Sequence, residues 1–348
     1  MIIDEYMPPT TLTGFVREVP YPSNLQLANY LPDRFVGDIE AAMDQVTRTN
    51  RAAQFRAWDS ETPVSRRDSF TRSRVKLPPL GVKLPIGEYE RLMLERARTG
   101  GDNRDAYVEA IYNDAEQLTR EVYNRMELAR GDALIDGKFT IVDENGLKGL
   151  EADFGLPGTH LVAPIVPWST TASATPLTNL KTWIELYQDD ANGDLPGIAL
   201  TSRKVINNLL MSAEIRDLFY RGDAVSGGPN LLTPAQLNTV LTAYGYPPFV
   251  AYDTKIEVDG TATRVIPDDR VIFLPSDPSS LGFTAWGVTA EALELASGQN
   301  PGLLFSELSG LVGVVLKEGD PLRVWTKVGA VGMPIITDPK RLLVADVL

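Results

Sequence analysis

A chain of 348 residues with 43% hydrophobic content can fill two or three cored domains. No apolar run, Leu311–Leu316 included, approaches the ~20 residues that span a bilayer, and no charged-then-apolar leader opens the chain, so neither membrane insertion nor secretion is expected. The absence of cysteine excludes a disulfide framework, a thiolate nucleophile and a cysteine-based zinc site and suits an intracellular folding compartment, while a net charge of -13 argues against the chain as a whole gripping nucleic acid.

Residues 1–36 carry Pro8, Pro9, Pro20, Pro22 and Pro32 without an evident apolar period. They read as an extended arm that needs a neighbour to lie on. Residues 52–58 and 69–77 are each strand-like; in the second, Phe70, Arg72, Arg74 and Lys76 share one face and Thr71, Ser73, Val75 and Leu77 the other. With the polar tip between them they predict a long two-stranded ribbon, marginal unless it rests on something else. From Arg48 to Lys76 there are eight basic residues (Arg48, Arg51, Arg56, Arg66, Arg67, Arg72, Arg74 and Lys76) against Asp59, Glu61 and Asp68, which leaves the rest of the chain at -18. One reading is a solvated basic loop. The other is a positive arm that docks on the negative body of an identical subunit, with Trp58 as an aromatic anchor in the partner's pocket.

Tyr89, Leu92 and Met93 predict a short helix. From Asn103 to Leu134, Tyr107, Ile111, Ala115, Leu118, Val122, Met126, Ala129 and Ala133 recur at spacings of three and four, predicting one rod of roughly 45 Å that Gly137 stops. Its apolar stripe should pack on residues 147–154 and 323–347 as a sheet. Lys138–Val142 and Leu147–Phe154 flank Glu144-Asn145-Gly146 as a hairpin. From Pro176 onward short pieces suggest a mixed α/β domain. Thr233-Pro234-Ala235-Gln236 fits a capping box opening a helix to about Ala243. Asp259-Gly260 should turn a second hairpin between Lys255–Val258 and Ala262–Ile266, with a strand at Arg270–Leu274. The last strands fall at Leu311–Lys317, Arg323–Val328 and Leu342–Val347, the final two separated by Gly332, Pro334 and Pro339.

Signatures of catalysis are missing. Gly131 to Lys138 has five residues between its glycines instead of the phosphate loop's four, and Phe139 stands where Ser or Thr should hold magnesium, so it reads as a helix end. The single histidine, His160, lacks an evident nucleophile. Asp189, Asp190 and Asp194 resemble a calcium loop without its order or its closing Glu. Glu-rich 88–95 could supply paired carboxylates, whose separation sequence does not fix. Trp183, Trp286 and Trp325 read as core or interface anchors. No catalytic, cofactor-binding or metal-binding residue is assigned.

The order of parts resembles the HK97-type coat fold, an α+β architecture with N-arm, E-loop, long spine helix, P-domain sheet and inserted A-domain. Within it the chain resembles the lambda-like major capsid protein E family of tailed bacteriophages. The resemblance rests on Leu31-Pro-Asp-Arg-Phe-Val-Gly-Asp-Ile-Glu40, Ala53-Gln-Phe-Arg-Ala-Trp-Asp59, Arg74-Val-Lys-Leu-Pro-Pro-Leu80, Ile86-Gly-Glu-Tyr-Glu-Arg-Leu-Met-Leu-Glu95 and Gly332-Met-Pro-Ile-Ile-Thr-Asp-Pro-Lys-Arg-Leu-Leu-Val-Ala-Asp-Val347. It implies an N-arm at 1–36, an E-loop region at 37–85, a P-domain with spine helix at 86–175, an A-domain at 176–310 and a return to the P-domain at 311–348. It further implies a structural, non-enzymatic subunit of the virion, assembled in the host cytoplasm into the hexamers and pentamers of an icosahedral head. Its partners would be itself, a scaffolding protein, a portal, an optional decoration protein and packaged double-stranded DNA held without sequence specificity, with no membrane and no cofactor. Trp58, Arg56, Arg66, Arg67, Arg72 and Arg74 are the expected inter-subunit contacts. Two other readings are an encapsulin-like compartment shell, which shares the fold, and a carboxylate-dependent hydrolase with its cleft in 176–310.

Overall fold

The computed structural model describes residues 8–47, 52–53, 55–56, 58, 61–62, 69–86, 104–144, 146–220, 232–299, 309–318 and 323–348. Its axis is a single helix, Arg104–Asp136. The predicted stripe is its buried face: Ile111, Ala115, Leu118, Val122, Met126 and Ala133 are all shielded from solvent. Gly137, at φ 72°, stops it in the left-handed region that glycine adopts without steric cost.

The helix lies on a sheet built around the 14-residue strand Arg323–Ile336. That strand pairs antiparallel with Val312–Glu318, Pro79–Ile86 and Gly282–Trp286, and Asp33–Phe35 adds a parallel edge beside Gly282–Trp286. Gly332 permits this contact, because a Cβ there would lie 2.6 Å from the Ala285 carbonyl oxygen and 3.3 Å from Met126 Cε. The strand runs straight through Gly332 and Pro334, where the sequence suggested a break. Gly332 N–H donates to Pro78 O at 3.1 Å, so Pro334, two residues on, faces the same side, beyond the end of Pro79–Ile86. The donor it lacks would have had no ladder partner there.

A second sheet runs Leu161–Val162, Leu343–Asp346, Arg270–Pro275, Pro196–Thr201, Phe249–Ala251. Helices Pro176–Asp190, Arg203–Met211, Ala213–Tyr220 and Pro234–Ala243 enclose its core of Trp168, Leu180, Tyr187, Leu209 and Phe273. The capping box is present, with Thr233 and Gln236 bonding each other's backbone. Asp259 and Gly260 both take positive φ in the turn between Lys255–Val258 and Thr261–Arg264. This is the backbone signature of the hairpin turn that Asp-Gly favours.

Four expectations need correction. Residues 8–36 are no loose arm: Pro9 sits at N1 of helix Pro9–Glu18, whose Leu12 and Val16, one turn apart, are fully buried. Thr13 Oγ1 donates to Gly313 O at 3.0 Å, Arg17 Nε donates to Leu311 O at 3.0 Å, and Leu25, Leu27 and Leu31 continue into the main core. The ribbon's first strand is Glu40–Thr47 instead of 52–58, paired with Ser69–Lys76. Its register sets Glu40 opposite Lys76 and Asp44 opposite Arg72, opposite-charge pairs that 52–58 could not offer. Leu147–Asp153 pairs with Lys138–Glu144 alone among the described strands, and joins no larger sheet. Finally, Leu343–Asp346 belongs to the second sheet, whereas Gly282–Trp286, inside 176–310, belongs to the first. The chain therefore crosses between the two bodies more often than a linear division at 176, 310 and 311 supposes. The short helix expected around Tyr89 lies outside the described residues.

Candidate functional site

Two features stand out: a buried polar node that locks the N-terminal segment to the long helix, and an exposed loop that carries large side chains into solvent. In the node, Arg130 is fully buried at the inner face of the helix. Its Nε donates to Thr284 Oγ1 at 2.8 Å, Nη1 to Glu127 Oε2 at 3.3 Å, and Nη2 to Asp33 Oδ1 at 2.7 Å and Tyr21 OH at 3.1 Å. The other oxygen of Glu127, also fully buried, accepts from Leu27 N at 2.8 Å and Tyr252 OH at 2.7 Å. Thr284 passes its own hydroxyl proton to Leu31 O at 2.8 Å. Tyr21 stacks on Tyr123 at 3.9 Å between ring centroids.

Burial pushes the Tyr21 phenol up, against the opposing pull of Arg130, and pushes Tyr252 up with the Glu127 carboxylate adding to it. Both phenols therefore stay protonated and donate or accept as hydroxyls. Burial works against the Arg130 charge, but the carboxylates of Asp33 and Glu127 and the hydrogen bond to Tyr21 outweigh it, so the guanidinium is held charged. The node joins four sequence-distant elements, and its polar atoms are taken up in bonds to one another. It is a structural clamp. Sequence reading missed it, although one signal was available: Glu127 and Arg130 stand three apart beside the apolar stripe of the strongest helix.

The exposed loop carries Trp58, 94% exposed, and Phe55, fully exposed. Arg56 is exposed beside them. Arg74, on strand Ser69–Lys76, lies 3.8 Å from Glu40 with most of its side chain in solvent. Arg72 is placed on the same strand, two residues away. Arg66 and Arg67 lie outside the described residues. The structure thus leaves the Trp58 and Phe55 side chains almost wholly in solvent. Free water is a poor surrounding for two large aromatic side chains, and exposed apolar groups of this size on one loop mark a surface to be covered.

Other candidates resolve into structure. His160 is buried, with Nδ1 2.7 Å from Leu342 O and Nε2 2.9 Å from Asp190 Oδ2, so both ring nitrogens are engaged in structural contacts. Asp194 pairs with Arg341 at 2.7 Å instead of converging with Asp190 on an ion. Among the described residues no group of acidic or histidine side chains could hold a metal, and no helix is long and apolar enough to cross a membrane. Gly131 lies inside the helix, where a Cβ would meet Val265 O at 2.5 Å, so it serves close packing and not a phosphate. Residues 88–95 lie outside the described residues. Trp183 and Trp286 are buried, as anchors should be, and Trp325 carries Lys83 Nζ 4.0 Å above its ring.

The family model described as phage major capsid protein E matches residues 9–347. Among solved structures, a protein described as the capsid protein of a prophage of E. coli CFT073 is similar over 100% of both chains, with a TM-score of 0.62 and 14% identity. A phage-related protein of Bordetella bronchiseptica RB50 is similar over 97% of this chain and 96% of that one, with a TM-score of 0.55 and 12% identity. At such identities the likeness speaks for the fold. No curated protein sequence matches.

Proposed function

The chain belongs to the phage major capsid protein E family, and from that premise we propose that its copies close into the hexamers and pentamers of an icosahedral head around double-stranded DNA. Its fold is the α+β coat fold of HK97 type, and its family role is structural, as a component of the virion. The observation that carries the proposal is that match across residues 9–347, taken with a loop whose Trp58 and Phe55 gain nothing from their own subunit.

In this reading assembly takes place in the host cytoplasm, on a scaffolding protein and around a portal, with a decoration protein as an optional outer partner. DNA is held by enclosure and without sequence specificity. Outside the basic stretch the chain carries -18, and a wall of that sign repels phosphate, which leaves packaged DNA free to enter and leave. Trp58 seats in an apolar pocket of the adjacent subunit, with Arg56, Arg66, Arg67, Arg72 and Arg74 pairing with acids at its rim. The test is negative-stain microscopy of the expressed protein, alone and with its neighbouring genes. Closed shells of uniform diameter are expected; a chain that stays monomeric in both preparations at high concentration would count against the proposal.

A further inference from the structure

Three segments pass between the two bodies of the fold. Residues 154–161 lead from Phe154 in the first core to Leu161–Val162 on the second sheet, 275–282 return from Arg270–Pro275 to Gly282–Trp286, and 336–343 lead from the central strand to Leu343–Asp346. The last two are tied together: Leu281 O accepts from Thr337 N at 2.9 Å and from Asp338 N at 3.1 Å, and Arg341 Nη1 donates to Ser280 Oγ at 3.4 Å. His160 ties the first to the third through Nδ1 and Leu342 O, 2.7 Å apart. Through Nε2 and Asp190 Oδ2, 2.9 Å apart, it also holds the end of helix Pro176–Asp190. The ring is fully buried.

Both ring nitrogens face oxygens that accept. The Leu342 carbonyl has no proton to give, so Nδ1 carries one, and a second must lie between Nε2 and Asp190, since two lone pairs in contact repel. A neutral imidazole beside an ionised carboxylate is one proton short of this arrangement. We infer that His160 and Asp190 form a proton-held latch on the hinge between the two bodies, with the imidazole, the stronger base, carrying the proton. An opened latch exposes an ordinary imidazole, which sheds its proton above about pH 6.5, and an ordinary carboxylate. Closing therefore takes up a proton above that pH, so the latch is at full strength below it and weakens as pH rises further. The neighbouring charges are otherwise engaged. Arg341 is taken up by Asp194 at 2.7 Å and Asp338 at 3.2 Å, Asp189 is exposed on the helix's last turn, and Lys340 is half-buried on turn Pro339–Arg341. Burial pushes the Tyr187 phenol up, so it keeps its proton and donates to Arg341 O at 3.1 Å. The latch belongs to the single subunit and stands whether or not shells form.

The chain's single histidine makes the test direct. In the full-length unassembled chain, nitrogen-15 labelled histidine gives two ring signals that report which nitrogens carry protons. Amide hydrogen exchange, corrected for its intrinsic pH dependence, reports opening of segments 158–162 and 342–345. At about pH 6 both ring nitrogens should be protonated and both segments protected; at about pH 8.5 one ring proton should be lost and the segments should exchange at least several-fold faster. Asp190→Asn supplies an amide that donates to Nε2 of a neutral ring, so in that variant the two segments should exchange at the same corrected rate at both pH values. A wild-type ring with one proton at about pH 6, or segments equally protected at both pH values, overturns the proposal. So does an Asp190→Asn chain that opens with the wild-type pH dependence. Should that variant misfold, the wild-type ring signals and exchange decide alone.

Discussion

Glu127 and Arg130, three residues apart on one helix, form an ion pair at 3.3 Å with both side chains at 0% exposure. Asp33, Tyr21, Leu27 and Tyr252 complete their bonding and so tie the N-terminal segment and the second sheet's margin to the spine of the molecule.

Arg130→Ala should destabilise the unassembled chain by roughly 3–5 kcal/mol, since it strands the buried Glu127 carboxylate. Arg120→Ala removes the solvent-exposed partner of Glu116 on the same helix and should cost about 0–1 kcal/mol. Urea unfolding of both variants measures the contrast, and equal losses would mean that the node is not a clamp.

The docked helix Pro9–Glu18 should resist trypsin at Arg17 even before assembly, because Arg17 bonds to Leu311 O and Ser309 O. Leu12→Ala should cost ~2–5 kcal/mol through the cavity it leaves and should expose that site. Mass spectrometry of timed digests reads both effects. Rapid cleavage at Arg17 in the wild-type chain would return this segment to the status of a loose arm.

Glu291 on helix Ala290–Gln299 meets Lys327 on the central strand. Burial alone would raise the Glu291 carboxyl, yet its hydrogen bond and charge pairing with Lys327 prevail and hold it below its ordinary value. A depressed carboxylate stabilises the fold fully above its unfolded pKa, and that share is lost as pH falls through the folded one. Glu291→Gln should therefore be less stable than wild type at neutral pH, with the gap closing as the solution is acidified below about pH 4. Thermal melts across pH 3–7 check this; a gap constant with pH would contradict it.

What the sequence made legible was local. The helix at 104–136, the Thr233–Gln236 box and the Asp259-Gly260 turn are each written in residues within a few positions of one another. What stayed hidden depends on distant partners. Leu12 and Val16 are an i, i+4 pair in a segment with five prolines, and their burial depends on distant partners, among them strand Val312–Glu318, where both lie against Gly313. Nothing near Leu343 says that its partners are Phe273 and, through the next residue, Leu161. At the loop, composition identified the exposed aromatic and the charge excess, whereas the strand opposite Ser69–Lys76 had to be found by register. The node was hidden because its six side chains come from four separate stretches.

The central claim is that the chain builds a shell by offering Trp58 and its arginines to a neighbour, and assembly kinetics by light scattering across a salt series test it most directly. Rim charge pairs are worth about 0–1 kcal/mol each and weaken as salt screens them, whereas a buried aromatic anchor is worth ~2 kcal/mol or more. Arg66→Glu with Arg67→Glu should therefore slow assembly chiefly at low salt, and Trp58→Ala should impair it at every salt concentration, with both variants folded by circular dichroism. Variants that assemble like wild type throughout the series would show that the loop is a solvated excursion and that the shell is held together elsewhere.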